Sequence, residues 1–318
     1  MTRQGKGPDT GARAPGPGDD TGHRAGFACF VGRPNVGKST LMNALVGTKV
    51  AITSSKPQTT RRAIRGIVHR PDFQLVIVDT PGLHRPRTLL GERLDSLVLS
   101  TLTEVDVIAF CVPVDEPIGK GDRFIAEKLA AVKKTPVVAV VTKCDVASRE
   151  QIAKQLLAVS ELAEFDEIVP VSAETGEGLD ALAGVLAGRL PEGPPLYVGG
   201  EPTDEPEQVL IAELIREAAL EGVRDELPHS IAVTVEEMLP HPGRDDMLDI
   251  YAEMYVERSS QKAIVIGHKG ERLRAVGTQA RKQIEALLGT RVYLDLRIKV
   301  AKDWQRDPKQ LRRLGFYD

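Results

Sequence analysis

The sequence predicts an α/β architecture: a doubly wound, mostly parallel sheet with helices on both faces, followed by a small α+β unit. Three observations predict it. Short apolar runs alternate with longer stretches of helical period from Phe27 to Leu190. A stretch rich in Pro, Gly and acids, LPEGPPLYVGGEPTDEPEQ at 190–208, then interrupts that alternation. A different order follows it, helix, two strands, two helices and a strand. The 318 residues suit about two domains. The divisions are a tail over 1–25, a first domain over 26–190, a flexible linker over 191–207 and a second domain over 208–318.

Taken in chain order, the first two dozen residues are rich in Gly, Pro and charge, without the apolar core of a secretory signal, and read as a disordered tail. FACFV then predicts a strand and STLMNALVG a helix. FQLVIVD, VIAFCVPV, PVVAVVTK and EIVPVS predict four more strands, each followed by a helical stretch: LGERLDSLVLSTL, DRFIAEKLAAV, REQIAKQLLAVSEL and GLDALAGVLAGRL. In such a sheet ligands bind at the carboxyl ends of the strands. Past the linker, VLIAELIREAALEGV reads as a helix, and SIAVTVEEM and LDIYAEMYVER alternate as strands. AVGTQARKQIEALLG reads as a helix behind a glycine loop, and RVYLDLRIKVA as the last strand.

The composition, 42% hydrophobic and 27% charged, is that of an ordinary soluble protein, and the net charge of -3 gives no global pull toward nucleic acid. The mean hides an asymmetry. Residues 201–257 hold 16 acidic and 3 basic side chains, whereas 258–318 hold 15 basic and 6 acidic ones, so a polyanion would bind at the C-terminal end. Cys29, Cys111 and Cys144 form no close pair, which argues against a zinc cluster or disulfide framework and fits a reducing cytosol. No run of about 18 apolar residues predicts a transmembrane helix, although peripheral contact with a membrane stays open.

GRPNVGKST, Gly32 to Thr40, satisfies G-x-x-x-x-G-K-[ST] directly after a strand and before a helix, the context the motif requires. Its glycines let backbone N–H groups turn onto phosphate oxygens, the helix N-terminus adds partial positive charge, and Lys38 bridges the terminal phosphates. Ser39 would hold Mg2+. A glycine-rich turn with an incidental lysine is the bland alternative. Three further patterns stand at strand ends. In DTPG, Asp79 can hold Mg2+ through water and the Gly82 N–H can meet a γ-phosphate. In TKCD, the Asp145 carboxylate accepts from guanine N1 and N2, which selects GTP over ATP. SAE, Ser172 to Glu174, follows the next apolar run. Alone, TKCD and SAE would read as solvated turns; in this order they support one another.

These residues resemble the translation-factor-like GTPases. With SSKPQTTRR, DTPGLH, SAETG, VIGHKGERLR and KDWQRDPKQLRRLGF, the chain from about Phe27 to Tyr317 is similar to the Era family, bacterial GTPases with a C-terminal KH domain that binds RNA. The resemblance implies a P-loop GTPase domain followed by a type II KH domain. It implies GTP hydrolysis coupled to binding of 16S ribosomal RNA near its 3' end, assisting 30S subunit assembly and rRNA maturation. It further implies a monomer that binds no DNA and works in the cytoplasm. GTP or GDP would be held by Gly32, Asn35, Val36, Gly37, Lys38, Ser39, Thr40, Asp79, Gly82, Thr142, Lys143, Asp145, Ser172, Ala173 and Glu174. Mg2+ would be held by Ser39, Thr60 and Asp79, with Lys38, Thr60 and Gly82 acting on the reacting phosphate. Thr59 is the rival to Thr60, and both could be solvated loop hydroxyls.

Three positions qualify the resemblance. Thr142 stands where the family usually has Asn, so a contact bracing the phosphate loop and base is expected to be lost. Leu83, after DTPG, has no group to orient water, which predicts slow intrinsic hydrolysis. His84 could be proposed as a base, yet a lone histidine in a loop is more often a bystander. Asn35 either holds K+, whose charge can stand in for an arginine finger, or simply braces the loop.

In the basic C-terminal unit Gly267, His268, Lys269 and Gly270 form a GxxG loop, the KH clamp on about four nucleotides. Ile264 and Ile266 would floor the bases, and Lys269, Arg272 and Arg274 would face phosphates. A basic solvated surface is the alternative. Two other functions compete with a nucleotide-controlled RNA binder: a constitutive RNA-binding module with an idle nucleotide domain, and a Ras-like switch acting on proteins, which the KH pattern disfavours.

Overall fold

The structure, a computed structural model, describes residues 22–54, 56, 59–83, 86, 88–221, 223 and 227–316. The expected tail up to residue 21 lies outside these, as do His84 and Tyr317. Arg24 and Ala25, expected to fall before the first domain, already belong to the first strand.

The first unit runs β1 (Arg24–Val31), α1 (Lys38–Val46), β2 (Ile64–His69), β3 (Phe73–Asp79), α2 (Leu89–Glu104), β4 (Val107–Pro113), α3 (Lys120–Ala130), β5 (Val137–Thr142), α4 (Arg149–Ser160), β6 (Glu167–Pro170) and α5 (Leu179–Ala187). Its six-stranded sheet has the order β2-β3-β1-β4-β5-β6. Every pairing is parallel except β2 with β3. One face is covered by α1 and α5 through Leu41, Met42, Leu45, Leu182 and Leu186. The other is covered through Val98, Leu102, Ile125, Leu129 and Val159 of α2, α3 and α4. The antiparallel edge strand β2 is an addition to the sequence reading. At Gly66 a Cβ would stand 2.8 Å from Val46 and 2.9 Å from Met42, so α1 lies directly on this strand.

The second unit comprises α6 (Glu207–Leu220), α7 (Leu227–Ser230), β7 (Ala232–Pro240), β8 (Met247–Val256), α8 (Ser259–Ile266), α9 (Glu271–Leu288), β9 (Arg291–Val300) and α10 (Pro308–Arg313). Its sheet is β7-β8-β9, with β7 antiparallel and β9 parallel to β8. Ile211 and Ile215 of α6, Val265 of α8 and Ile284 of α9 pack with Ile250, Met254 and Ile298 from the sheet. The helix, hairpin, helix pair and parallel strand are those of a type II KH fold.

The stretch expected to be a flexible linker is tied down instead. The Gln74 side chain donates to Tyr197 O at 2.7 Å and accepts from Leu196 N and Tyr197 N at 2.7 and 2.9 Å. Ile67 N donates to Pro202 O at 2.8 Å, and Arg65 pairs with Asp204 at 2.8 Å. Polar composition permits a loose chain, but the unpaired edge of β2 and the Gln74 side chain of β3 offer these groups partners. The two units also share a core, in which Leu90 and Leu94 of α2 pack with Tyr255, Trp304, Leu311 and Leu314. Among the described residues no helix is long and apolar enough to cross a membrane.

Candidate nucleotide site and RNA clamp

Where β1 ends, the chain turns through left-handed positions at Asn35 (φ 64°) and Gly37 (φ 97°) before α1 begins at Lys38. Gly37 provides no capping side chain, so the first N–H groups of α1 face the pocket as an anion site. Lys38 is 6% exposed, and its Nζ donates to Gly32 O at 3.2 Å and Arg33 O at 3.0 Å. Burial lowers its pKa, and the charge of Asp79 works against that shift. At Gly82 a Cβ would stand 2.7 Å from Pro34 N, so the DTPG turn and the phosphate loop meet backbone to backbone.

Three oxygen-bearing side chains converge beside Lys38. Ser39 Oγ donates to Asp79 Oδ2 at 2.6 Å, Thr60 Oγ1 donates to the same oxygen at 3.2 Å, and the two hydroxyls are 3.1 Å apart. Thr59 points elsewhere, donating to Lys56 O at 2.6 Å. Asp79 is wholly buried, and its Oδ1 has no hydrogen-bond partner among the described residues. Burial raises its pKa despite Lys38 and the two hydroxyls. A buried carboxylate short of partners, flanked by two hydroxyls, is the donor set of a hard divalent cation such as Mg2+.

At the other end, Lys143 takes a left-handed conformation (φ 60°) and leads into the turn that presents Asp145. Asp145 Oδ1 accepts from Ser172 Oγ at 2.7 Å, and Ser172 Oγ accepts in turn from Thr175 N at 3.1 Å. Lys143 Nζ lies 3.3 Å from Asp115. The loss expected at Thr142 is corrected: its Oγ1 donates to Val36 O at 2.6 Å, so a hydroxyl braces the phosphate loop. The threonine is short, but β5 ends close enough to the loop for it to reach.

The space between has a volume of about 540 Å3. Asn35, Gly37, Lys38, Ser39, Thr40, Thr60 and Gly82 line one part of it, and Thr142, Lys143, Asp145, Ala173 and Glu174 another. Gly32, Val36, Asp79 and Ser172 stand behind this lining. Ile52, Thr53 and Ser54 also line it and were not anticipated, since AITS carries no motif. Leu83 is buried in the apolar layer with Val98 and Leu102, so its side chain leaves the reacting end altogether.

In the second unit, Gly267 (φ 73°), Lys269 (φ 47°) and Gly270 (φ 79°) bend the backbone between α8 and α9. At Gly267 a Cβ would stand 2.6 Å from the Arg272 Cβ, which requires glycine there. His268, Lys269 and Arg274 are exposed, as is Ile264 at 54%, whereas Ile266 is partly buried against the core. Arg272 does not face outward as expected: its Nη2 donates to Glu221 O at 2.8 Å and Ala219 O at 3.4 Å, at the carbonyl end of α6. Those terminal carbonyls carry partial negative charge and draw the guanidinium.

Comparison with known proteins agrees with the two-unit fold. Residues 27–143 match the family described as 50S ribosome-binding GTPase, and residues 226–305 match the KH domain. GTPase Era of Mycobacterium sp. (strain KMS) is 68% identical over 295 residues, covering 92% of this chain and 99% of that protein. The chain belongs to the Era family of GTPases. GTPase Era of Streptomyces coelicolor is 65% identical over 305 residues, covering 93% of this chain and 96% of its own. Two solved Era structures superpose on 93% of this chain and the whole of theirs. A variant from Aquifex aeolicus bound to GDP and AlF4- has a TM-score of 0.89 at 38% identity. Era in complex with MgGDPNP and nucleotides 1506–1542 of 16S ribosomal RNA has a TM-score of 0.88 at 39% identity.

Proposed function

We propose that this Era-family GTPase hydrolyses GTP and binds 16S ribosomal RNA near its 3' end, its nucleotide state controlling that binding, and so assists 30S subunit assembly and rRNA maturation. The observation that carries the reading is the convergence of Ser39, Thr60 and Asp79 beside Lys38, in a pocket whose far end presents the Asp145 carboxylate. Ser39, Thr60 and Asp79 would hold Mg2+, directly or through water. Bound there, the ion would neutralise charge on the β- and γ-phosphates. Lys38 binds the terminal phosphates, the Gly82 N–H meets the γ-phosphate, and Asp145 fixes the guanine edge, itself oriented by Ser172. Solved Era complexes with MgGDPNP and rRNA support this assignment for a chain of the same family.

With Leu83 turned into the core, its side chain cannot orient water. Slow hydrolysis is the consequence, accelerated by K+ at Asn35 or by groups from the ribosomal partner. The left-handed loop position of Asn35 supports the K+ assignment. The chain acts as a monomer, in the cytosol, where its three buried thiols stay reduced. The same Leu83 favours the rival reading, an RNA-binding module with an idle nucleotide domain. Single-turnover GTP hydrolysis, in K+ or Na+ and with or without an RNA of the 16S 3' end, separates the two. A rate that rises with RNA or K+ supports the switch, and no hydrolysis under any condition supports the module.

A further inference from the structure

The segment that carries Thr60 is also held by the KH unit. Ile52 is buried in the KH core beside Ile211, Leu214 and Ile215. Thr53 N donates to Glu217 Oε1 at 2.7 Å, and Glu217 also pairs with Lys49 and accepts from Gln283 Nε2 at 2.9 Å. Thr59 O accepts from Arg216 Nη2. On the other side of Thr60, Arg61 donates to Ile231 O at 2.6 Å and His229 O at 2.8 Å, and its guanidinium stands 5.7 Å from the Trp304 ring. Thr60 is therefore flanked by two residues whose backbone or side chain bonds to the second unit.

Arg216 is 2% exposed, and its Nε donates to Glu213 Oε1 at 3.0 Å. A guanidinium at such depth is tolerated only while its partners stay in place. Were Thr59 to move away, Arg216 would lose its carbonyl and stay buried with one partner fewer. Its cost of burial therefore weights the equilibrium toward the arrangement in which Thr60 reaches Asp79.

We propose that Arg216, with Glu217 beside it on α6, is a positioning residue for GTP hydrolysis, holding the Thr59 carbonyl so that Thr60 stands between Ser39 and Asp79. The inference rests on the assignment of that triad to Mg2+ and the γ-phosphate. GDP lacks the γ-phosphate, so the brace acts on GTP far more than on GDP.

The test is the ratio of affinities for a non-hydrolysable MgGTP analogue and for MgGDP, measured by fluorescence on the full chain. Arg216→Met should lower analogue affinity about tenfold while GDP affinity stays within about twofold. Arg216→Lys, which keeps the charge beside Glu213 and one donor, should fall between. In a Thr60→Ala background Arg216→Met should change the ratio no further, because its effect passes through that hydroxyl. Equal losses for both nucleotides, or a full additional loss beyond Thr60→Ala, would overturn the proposal. Should Arg216→Met fail to fold, Arg216→Lys and Glu217→Gln carry the test, and an unchanged ratio in both overturns it. A wild-type chain that binds no GTP analogue would instead overturn the nucleotide-site assignment itself.

Discussion

The nucleotide pocket and the GxxG clamp solve opposite problems. At the phosphate end of the pocket the charged groups, Lys38 and Asp79, are buried at 6% and 0% exposure and held by other parts of the first unit, whereas Asp145 at the base end is exposed. At the clamp His268, Lys269 and Arg274 are exposed, and it is the backbone that the glycines bend into place. A buried charge is oriented before its ligand arrives, so each one carries a large share of binding; an exposed one is screened and shares the load with its neighbours. The pocket should therefore fail on single substitutions, and the clamp only on reversal of charge.

The largest effect is expected at Lys38. Lys38→Ala removes the one buried cation facing the terminal phosphates, and GTP affinity should fall about a thousandfold in a fluorescence titration. Second is Asp145→Asn, which turns one of the two acceptors facing guanine N1 and N2 into an N–H donor. GTP affinity should fall about a hundredfold, and xanthosine triphosphate should compete better than GTP, since its C2 oxygen accepts from the new amide. If Lys38→Ala proved mild, the contrast between the two regions would be lost.

These two residues were legible because their motifs sit at strand ends, where a local pattern and the sheet topology agree. What escaped the sequence depends on distant pairs. β2 has a strand's composition only in IRGIVH, with Arg65 and Gly66 diluting the pattern, and its burial comes from β3 and from Met42 and Val46. The 191–206 strap looked like a loose linker because Gln74, which ties it down, lies more than a hundred residues earlier. TTRR was visible as a motif, but nothing local announces that Arg61 bonds the backbone near α7 and that Arg62 bonds Leu314. Arg272 was misplaced because GxxG spacing says which residues are near the loop, and not that α6 ends within reach of its side chain.

The clamp sharpens the comparison from its own side. His268→Asp with Lys269→Asp should weaken binding of a single-stranded RNA from the 16S 3' end about thirtyfold in a gel shift, while GTP affinity stays within about twofold. Either single Ala substitution should cost about threefold, the signature of a load shared with the backbone.

Burial at the pocket also predicts a pH effect. Burial raises the Asp79 pKa, and Mg2+ requires the carboxylate, so Mg2+ affinity should fall as pH drops through that raised value. Below it the loss approaches about tenfold per pH unit, beginning at a higher pH than for an exposed aspartate. Stability of the nucleotide-free chain runs the other way. A raised aspartate pKa means the folded state holds the proton more tightly, so acidification through that value adds stability from this residue. Titrating Mg2+ and the thermal midpoint across the same pH series reads both signs.

The last effect concerns Thr142, at the seam between the phosphate loop and the base. Its Oγ1 donates to Val36 O at 2.6 Å and lies 3.4 Å from Val112 O, and the residue is 3% exposed. Thr142→Ala would leave a buried loop carbonyl without that donor, at a cost of about 1 kcal/mol, or roughly fivefold in affinity. Because the loop faces the phosphates shared by both nucleotides, GTP and GDP should weaken alike, in contrast to Arg216→Met. Thr142→Ser keeps the hydroxyl and should restore most of the loss. Thr142→Asn, the residue usual in the family, supplies an amide donor of longer reach and should leave affinity within about twofold of wild type. A large loss with Thr142→Asn would mean that β5 and the phosphate loop have settled around the shorter side chain, so that the hydroxyl is the only group this pocket accepts as its brace.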